Sequence, residues 1–226
     1  VTVNYPSFFG HTLNGILYYA DLPEKLNSPT LNGLNIELWR TNGSSNYMAY
    51  EINRGQQQLP QNNFVNMPSQ PRNFFKLQNK IYFIATNEGK ENLYSLNEDF
   101  TFNNGKSNNQ WNEGDNWAGQ IVPFESDDAL IPAGKTPEIN GNASVKNISV
   151  SSPLNLSAGN LNIAGNLNLG AKITLNGNNL NLKGPSSQIT NGNSTNYIVT
   201  NGTGSVNVEN LNSARGTVNL PIGTAT

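Results

Sequence analysis

Along residues 154–182 apolar residues come in pairs separated by a single polar residue: Leu154/Leu156, Leu161/Ile163, Leu167/Leu169, Ile173/Leu175 and Leu180/Leu182. Alternation of period two places one side of each short strand in a core and the other side outside it. Leu154 to Ile173 and Leu161 to Leu180 are steps of equal length, and the same step carries Ile148/Val150 onto Leu167/Leu169. Gly159, Gly165, Gly170, Gly177 and Gly184 fall in the gaps, where they are expected to let the chain turn in conformations strained for other residues. A single rung of such strands cannot bury its own apolar pairs, so neighbours must stack. The pattern predicts a parallel β-solenoid of about three strands and about 19 residues per rung. Between the apolar positions, Asn155, Asn162, Asn168 and Asn181 should face outward, with Thr174 in register with Asn155. The same step stacks Asn147 on Asn166, Asn160 on Asn179 and Asn162 on Asn181, and aligned amides can bond along such a stack. A flat amide face of this kind is also suited to a glycan or another chain.

The first half has a different rhythm. Asn14–Ala20 followed by Ile36–Ser44, and Asn79–Ala85 followed by Glu91–Ser95, read as two copies of one unit in which Asn79 takes the place of Asn14. The second copy is shortened by the loop 21–35. Each copy offers an aromatic-rich strand, a turn and a second strand, the pattern of an antiparallel sheet. Trp39, Tyr18, Tyr19, Tyr82, Phe83 and Tyr94 are expected as sheet core, with sugar stacking as the functional alternative. The organisation that follows is a β-sheet region at 1–104, a linker and solenoid cap at 105–134, the solenoid at 135–195 and its exit at 196–226. Trp111 and Trp117 are placed to plug the first rung, because an uncapped solenoid exposes apolar pairs and strand edges.

Composition narrows the class. Of 226 residues only 12% are charged, while 42 are Asn and 21 are Gly, residues that disfavour helices and favour turns. An all-β chain is expected. A net charge of −2 provides no basic field for nucleic acid or anionic lipid. There is no cysteine, which removes disulfides and thiolate metal sites, and no apolar run long enough to span a membrane as a helix. The chain opens on Val1 without a leader, so any signal sequence is expected to lie outside this numbering, and the chain reads as a piece of a longer protein.

Candidate chemistry is sparse. His11 is the single histidine, with Asp21 ten residues on, and it is read as a surface or capping side chain rather than part of a triad. Glu113, Asp115, Glu125, Asp127 and Asp128 gather enough oxygens for a hard cation such as calcium, but without the order of a recognised calcium loop; they are read as turn-forming groups that accept backbone N–H bonds. Between Gly141 and Thr226 the only acid is Glu209, so the paired carboxylates of a glycosidase are missing from the coil. No catalytic, cofactor-binding or metal-binding residue is assigned, and the chain is not expected to be an enzyme.

Three passages carry resemblances. Glu37-Leu-Trp-Arg-Thr-Asn-Gly-Ser44, with Glu51-Ile-Asn-Arg-Gly55 and Phe75–Phe83 after it, resembles the ELWxTDGT repeat of large secreted bacterial surface proteins, with Asn42 for Asp and Ser44 for Thr. The second copy has Leu93-Tyr94 in place of Leu-Trp. That family implies tandem sheets resembling propeller blades; two blades cannot close a ring, so either further repeats complete it or the strands form an open sheet. Trp111–Pro123 followed by Asp127–Gly134 is similar to the NWxxGxxP cap that precedes β-solenoids in bacterial surface proteins. Asn196–Gly204 and Gly216–Thr226 resemble a passage of Bacteroidota proteins exported by the type 9 secretion system, where it leads into a β-domain and a C-terminal sorting domain. The resemblances imply an extracellular, cell-surface location and a scaffold or adhesin role. They imply partnership with outer-membrane secretion and attachment machinery, through a domain beyond this chain, and with glycans or other surface proteins. The alternative class is a carbohydrate-binding module or a β-helix polysaccharide-active enzyme.

Overall fold

The computed structural model describes residues 10–21, 36–44, 46–53, 55–58, 64–78, 80–210 and 216–224. The expected insertion at 22–35, Arg54, Asn79 at the head of the second copy, and Arg215 lie outside the described residues. The chain divides into two compact units, Val1–Glu98 and Asp99–Thr226. Strands account for the regular structure of both, with one short 3₁₀ turn at Gly114–Asn116 among the described residues.

In the first unit β1 (Gly10–Leu13) and β2 (Ile16–Asp21) form a hairpin. Its turn residues Asn14 and Gly15 both have positive φ, 48° and 87°, as a two-residue hairpin turn of the right twist requires. β3 (Glu37–Thr41) adds antiparallel to β2, and β4 (Asn46–Tyr50) to β3. A small ribbon pairs β5 (Gln56–Gln58) with β6 (Phe64–Asn66). Then β7 (Arg72–Leu77), β8 (Lys80–Asn87) and β9 (Lys90–Leu96) make a three-stranded antiparallel sheet. This last sheet matches β1–β2–β3 strand for strand. Leu13 pairs with Ile16 as Leu77 pairs with Lys80, and Tyr19 pairs with Trp39 as Phe83 pairs with Tyr94. The match across the hairpin therefore sets Gln78, not Asn79, in the place of Asn14, one position short of the offset read from the two asparagines. Gln78 takes the left-handed conformation there, with φ of 54°. Turn geometry sets hairpin register, and a shared Asn is a misleading anchor for it.

The second unit is a stack of rungs. Its strands are β10 (Asp128–Ile131), β11 (Glu138–Ile139), β12 (Ala143–Val145), β13 (Asn147–Val150), β14 (Leu154–Leu156), β15 (Leu161–Ile163), β16 (Leu167–Leu169), β17 (Ile173–Thr174), β18 (Leu180–Leu182), β19 (Ile189–Thr190), β20 (Ile198–Val199), β21 (Val206–Val208) and β22 (Ile222–Gly223). They form three parallel sheets, ordered β10-β13-β16-β19, β11-β14-β17-β20-β22 and β12-β15-β18-β21. Leu154 pairs with Ile173, Leu161 with Leu180 and Ile148 with Leu167, so the step that recurs in the sequence is the physical rung. After that the rung lengthens: Leu167 pairs with Ile189, Ile173 with Ile198 and Leu180 with Val206, each step longer than the one before. Extra residues enter at the corners, outside the core, and the strand register is regained each time. Every apolar pair from Leu154 to Leu182 is fully buried in the column.

The corner glycines act in two ways. Only Gly159 and Gly177 of the five have positive φ, 137° and 82°. Gly184 is required instead by close approach, since a Cβ there would collide with the Ala164 carbonyl oxygen of the rung before.

Candidate functional site

The outward asparagines do two distinct jobs. At strand centres they form the expected amide ladder: Asn162 Nδ2 reaches Ser144 Oγ at 3.3 Å, Asn181 Nδ2 donates to Asn162 Oδ1 at 2.8 Å, and Asn207 Nδ2 to Asn181 Oδ1 at 2.8 Å. At the corners the partner is backbone. Asn142 Oδ1 accepts from Asn160 N at 3.0 Å, Asn160 Oδ1 from Asn179 N at 2.8 Å, and Asn179 Oδ1 from Ser205 N at 3.0 Å. Asn147 and Asn166 repeat this at another corner, accepting from Asn166 N and Gln188 N. The Asn147/Asn166 and Asn160/Asn179 stacks are thus side chain on backbone, where the period alone suggests amide on amide. These corner N–H groups lie outside the strand ladders, and an Asn of the preceding rung satisfies each of those just named. Asn178, which the period does not single out, joins backbone contacts of two rungs to one side chain: its Oδ1 accepts from Gly159 N at 2.9 Å, and its Nδ2 donates to the Leu156 and Leu175 carbonyls at 2.8 and 3.1 Å.

The polar stretch 103–110 belongs to an incomplete rung at the head of the column. Thr101 bridges in parallel to Leu130 and Gln110 to Glu138, so the segment prefigures two of the three sheets. The Asn116 amide holds it: Asn116 Nδ2 donates to Asn108 Oδ1, and Asn116 Oδ1 accepts from Lys106 N. Beneath lie Trp111, Trp117 and Phe102, all fully buried. Trp117 meets both other rings edge to face, at 4.7 Å from Trp111 and 5.2 Å from Phe102, and its indole N–H donates to the Trp111 carbonyl.

The carboxylates near this cap are spread over separate tasks. Glu113 caps the 3₁₀ turn by accepting from Asp115 N, Asp115 pairs with Lys106 at 3.6 Å, Asp127 accepts from Phe124 N, and Asp128 accepts from Asn147 Nδ2. Among the described residues no three His, Asp or Glu side chains converge as a metal site. Glu209, the lone acid of the coil, stands 4.0 Å from Lys183 at the surface. His11 Nδ1 lies against the Thr12 carbonyl at 3.2 Å.

In the first unit Tyr18, Tyr19 and Phe83 are core residues, while Trp39, Tyr82 and Tyr94 are half-buried on sheet faces. Phe83 stacks between Phe74 and Tyr94, at 5.3 and 5.7 Å, which places these rings in packing rather than on display. Two buried ionisable side chains that sequence reasoning missed both lie within the Glu37–Arg40 motif. Glu37 accepts from Ile52 N, Ser69 N and Ser69 Oγ, tying three segments together. Burial, only partly offset by those bonds, pushes its carboxyl up to about 7. Arg40 is buried beside Tyr18, whose hydroxyl donates to Glu98 at 2.8 Å; burial pushes that phenol up, against the opposing guanidinium. The readable signal is an acid and a base inside an apolar strand.

One open groove of about 660 Å³ lies at a solenoid corner, lined by Lys172, Asn193, Thr195, Tyr197, Pro221 and Thr224. The Lys172 ammonium sits 4.7 Å over the Tyr197 ring, and the tyrosine hydroxyl donates to the Thr224 carbonyl. Comparison with protein families, with curated proteins and with solved structures found no match for this chain.

Proposed function

We propose that the chain is a non-catalytic part of a secreted cell-surface scaffold or adhesin, exported by the type 9 secretion system and held at the outside of the outer membrane. One observation carries the scaffold reading: the solenoid uses its surface amides to bond rung to rung, so the side chains most able to bind a substrate are spent on stiffness. A column joined this way resists bending and holds whatever lies beyond it at a fixed distance. The two matched sheets of the first unit fit a partial propeller of ELWxTDGT-like repeats. The export reading rests on the sequence resemblances at 37–44, 196–204 and 216–226. Its test is protease accessibility on intact cells: the full protein should be cleaved from outside in cells with a working translocon and protected in cells lacking it. Protection in both would sink it.

A second reading is favoured by the groove at Tyr197, where an aromatic ring, amides and hydroxyls line one open surface. A carbohydrate-binding module would use it weakly and gain avidity by repetition. Retention on a glycan array that Tyr197→Ala abolishes would support this reading over the pure spacer.

A further inference from the structure

The two matched repeats of the first unit differ in the faces they bury. Side chains alternate across a strand, so residues matched in register lie on matching faces. In the first repeat one face carries Leu13, Tyr18 and Leu38, all buried. Their matches in the second repeat are Leu77, Tyr82 and Leu93, and there the face is open: Leu77 is 57% exposed and Leu93 64%, with Phe75, stacked on Tyr82, at 47%. The second repeat buries its other face instead, through Ile81, Phe83 and Leu96. The match to that face in the first repeat is covered only in part: Tyr19 and Glu37 on it are buried, Trp39 is half-buried, and its cross-strand partner Met48 is 43% exposed.

Within the unit β1 lies against β7 and β8, and the Tyr18 hydroxyl donates to Glu98, two residues past Leu96. The covered face of one repeat therefore meets the other kind of face of the next. Packing of unlike faces is heterologous, and it leaves uncovered the Phe75–Leu77–Leu93 face of the second repeat and the Trp39–Met48 part of the first repeat's other face. A contiguous apolar face on a twisted sheet is seldom left to water. We propose that a second copy of this chain seats its Trp39–Met48 face on the open Phe75–Leu77–Leu93 face, repeating between chains the packing that joins the two repeats within one. The Arg72–Glu91 ion pair at the edge of the open face supplies a polar rim. The inference rests on the faces alone and stands apart from how the chain is exported.

The test is sedimentation of the full chain and of two surface variants, Leu93→Lys and Met48→Lys, with circular dichroism to verify that each is folded. Wild type should associate with rising concentration, and each variant alone should dissociate at least about tenfold more readily. Mixing the two variants should restore a dimer and nothing larger, because one supplies an intact Met48 face and the other an intact Leu93 face. A wild type that stays monomeric, association indifferent to both substitutions, or a mixture that stays monomeric would each overturn the proposal.

Discussion

At the scale of single residues, the side chains that matter most are those whose polar atoms substitute for missing backbone partners. Asn178 satisfies one N–H and two carbonyls of the rungs it joins. Asn178→Ala should cost about 2–3 kcal/mol in urea unfolding, since it strands backbone groups of buried residues, whereas Asn162→Ala, which removes only side-chain to side-chain bonds on the outer face, should cost less than about 1 kcal/mol. Glu37 is the counterpart in the first unit, and its effect depends on pH. Its folded carboxyl is pushed from 4.5 up to about 7 by burial. Between those values the folded chain keeps a proton that the unfolded chain releases, so stability falls as pH rises through that window and the full cost is present above it. The expected loss is about 3 kcal/mol between pH 4.5 and pH 8. Glu37→Gln, which cannot ionise, should flatten that slope in denaturation measured across the range; an unchanged slope would show that the carboxyl titrates normally.

At the scale of elements, a rung is stable only through its neighbours, so the first one depends on its plug. Removing the Trp117 ring leaves a cavity beside Trp111 and Phe102 at the head of the column. Trp117→Ala should cost about 3–5 kcal/mol. Hydrogen exchange should rise first at β10 and β11 and leave β17 and β18 protected, because coupling in a solenoid runs between nearest neighbours. Uniform loss of protection would mean that the column melts as one block. The same dependence on neighbours explains what the sequence discloses. The pairs from Ile148 to Leu182 are legible because period two and a constant step between rungs are both properties of strands lying on strands. The later, longer steps are not, because the residues added at those corners carry no apolar alternation to mark them. The dual role of asparagine is hidden for a related reason: a stack says which residues align, not whether the bond goes to an amide or to the main chain. Register in the first unit slips by one position because Gln78 can adopt the left-handed turn conformation that Asn14 advertises.

At the scale of the whole molecule, two cores are built from separate stretches of chain, one of antiparallel sheets that bury Tyr18, Leu38 and Phe83, the other a column of Leu and Ile. Their contacts differ in kind. The first relies on sheet faces and a few buried ionisable groups, while the second relies on a repeated apolar ladder that is nearly free of charge. Separate cores of unlike chemistry predict two unfolding transitions in calorimetry of the full chain rather than one. The assignment of each follows from the residues already named. Raising the pH from 5 to 8 should lower the transition that Glu37→Gln makes insensitive to pH, and Trp117→Ala should lower the other while leaving the first in place. If either substitution moved both transitions equally, the two cores would be folding as one cooperative body, and a scaffold of independent rigid parts would no longer describe the chain.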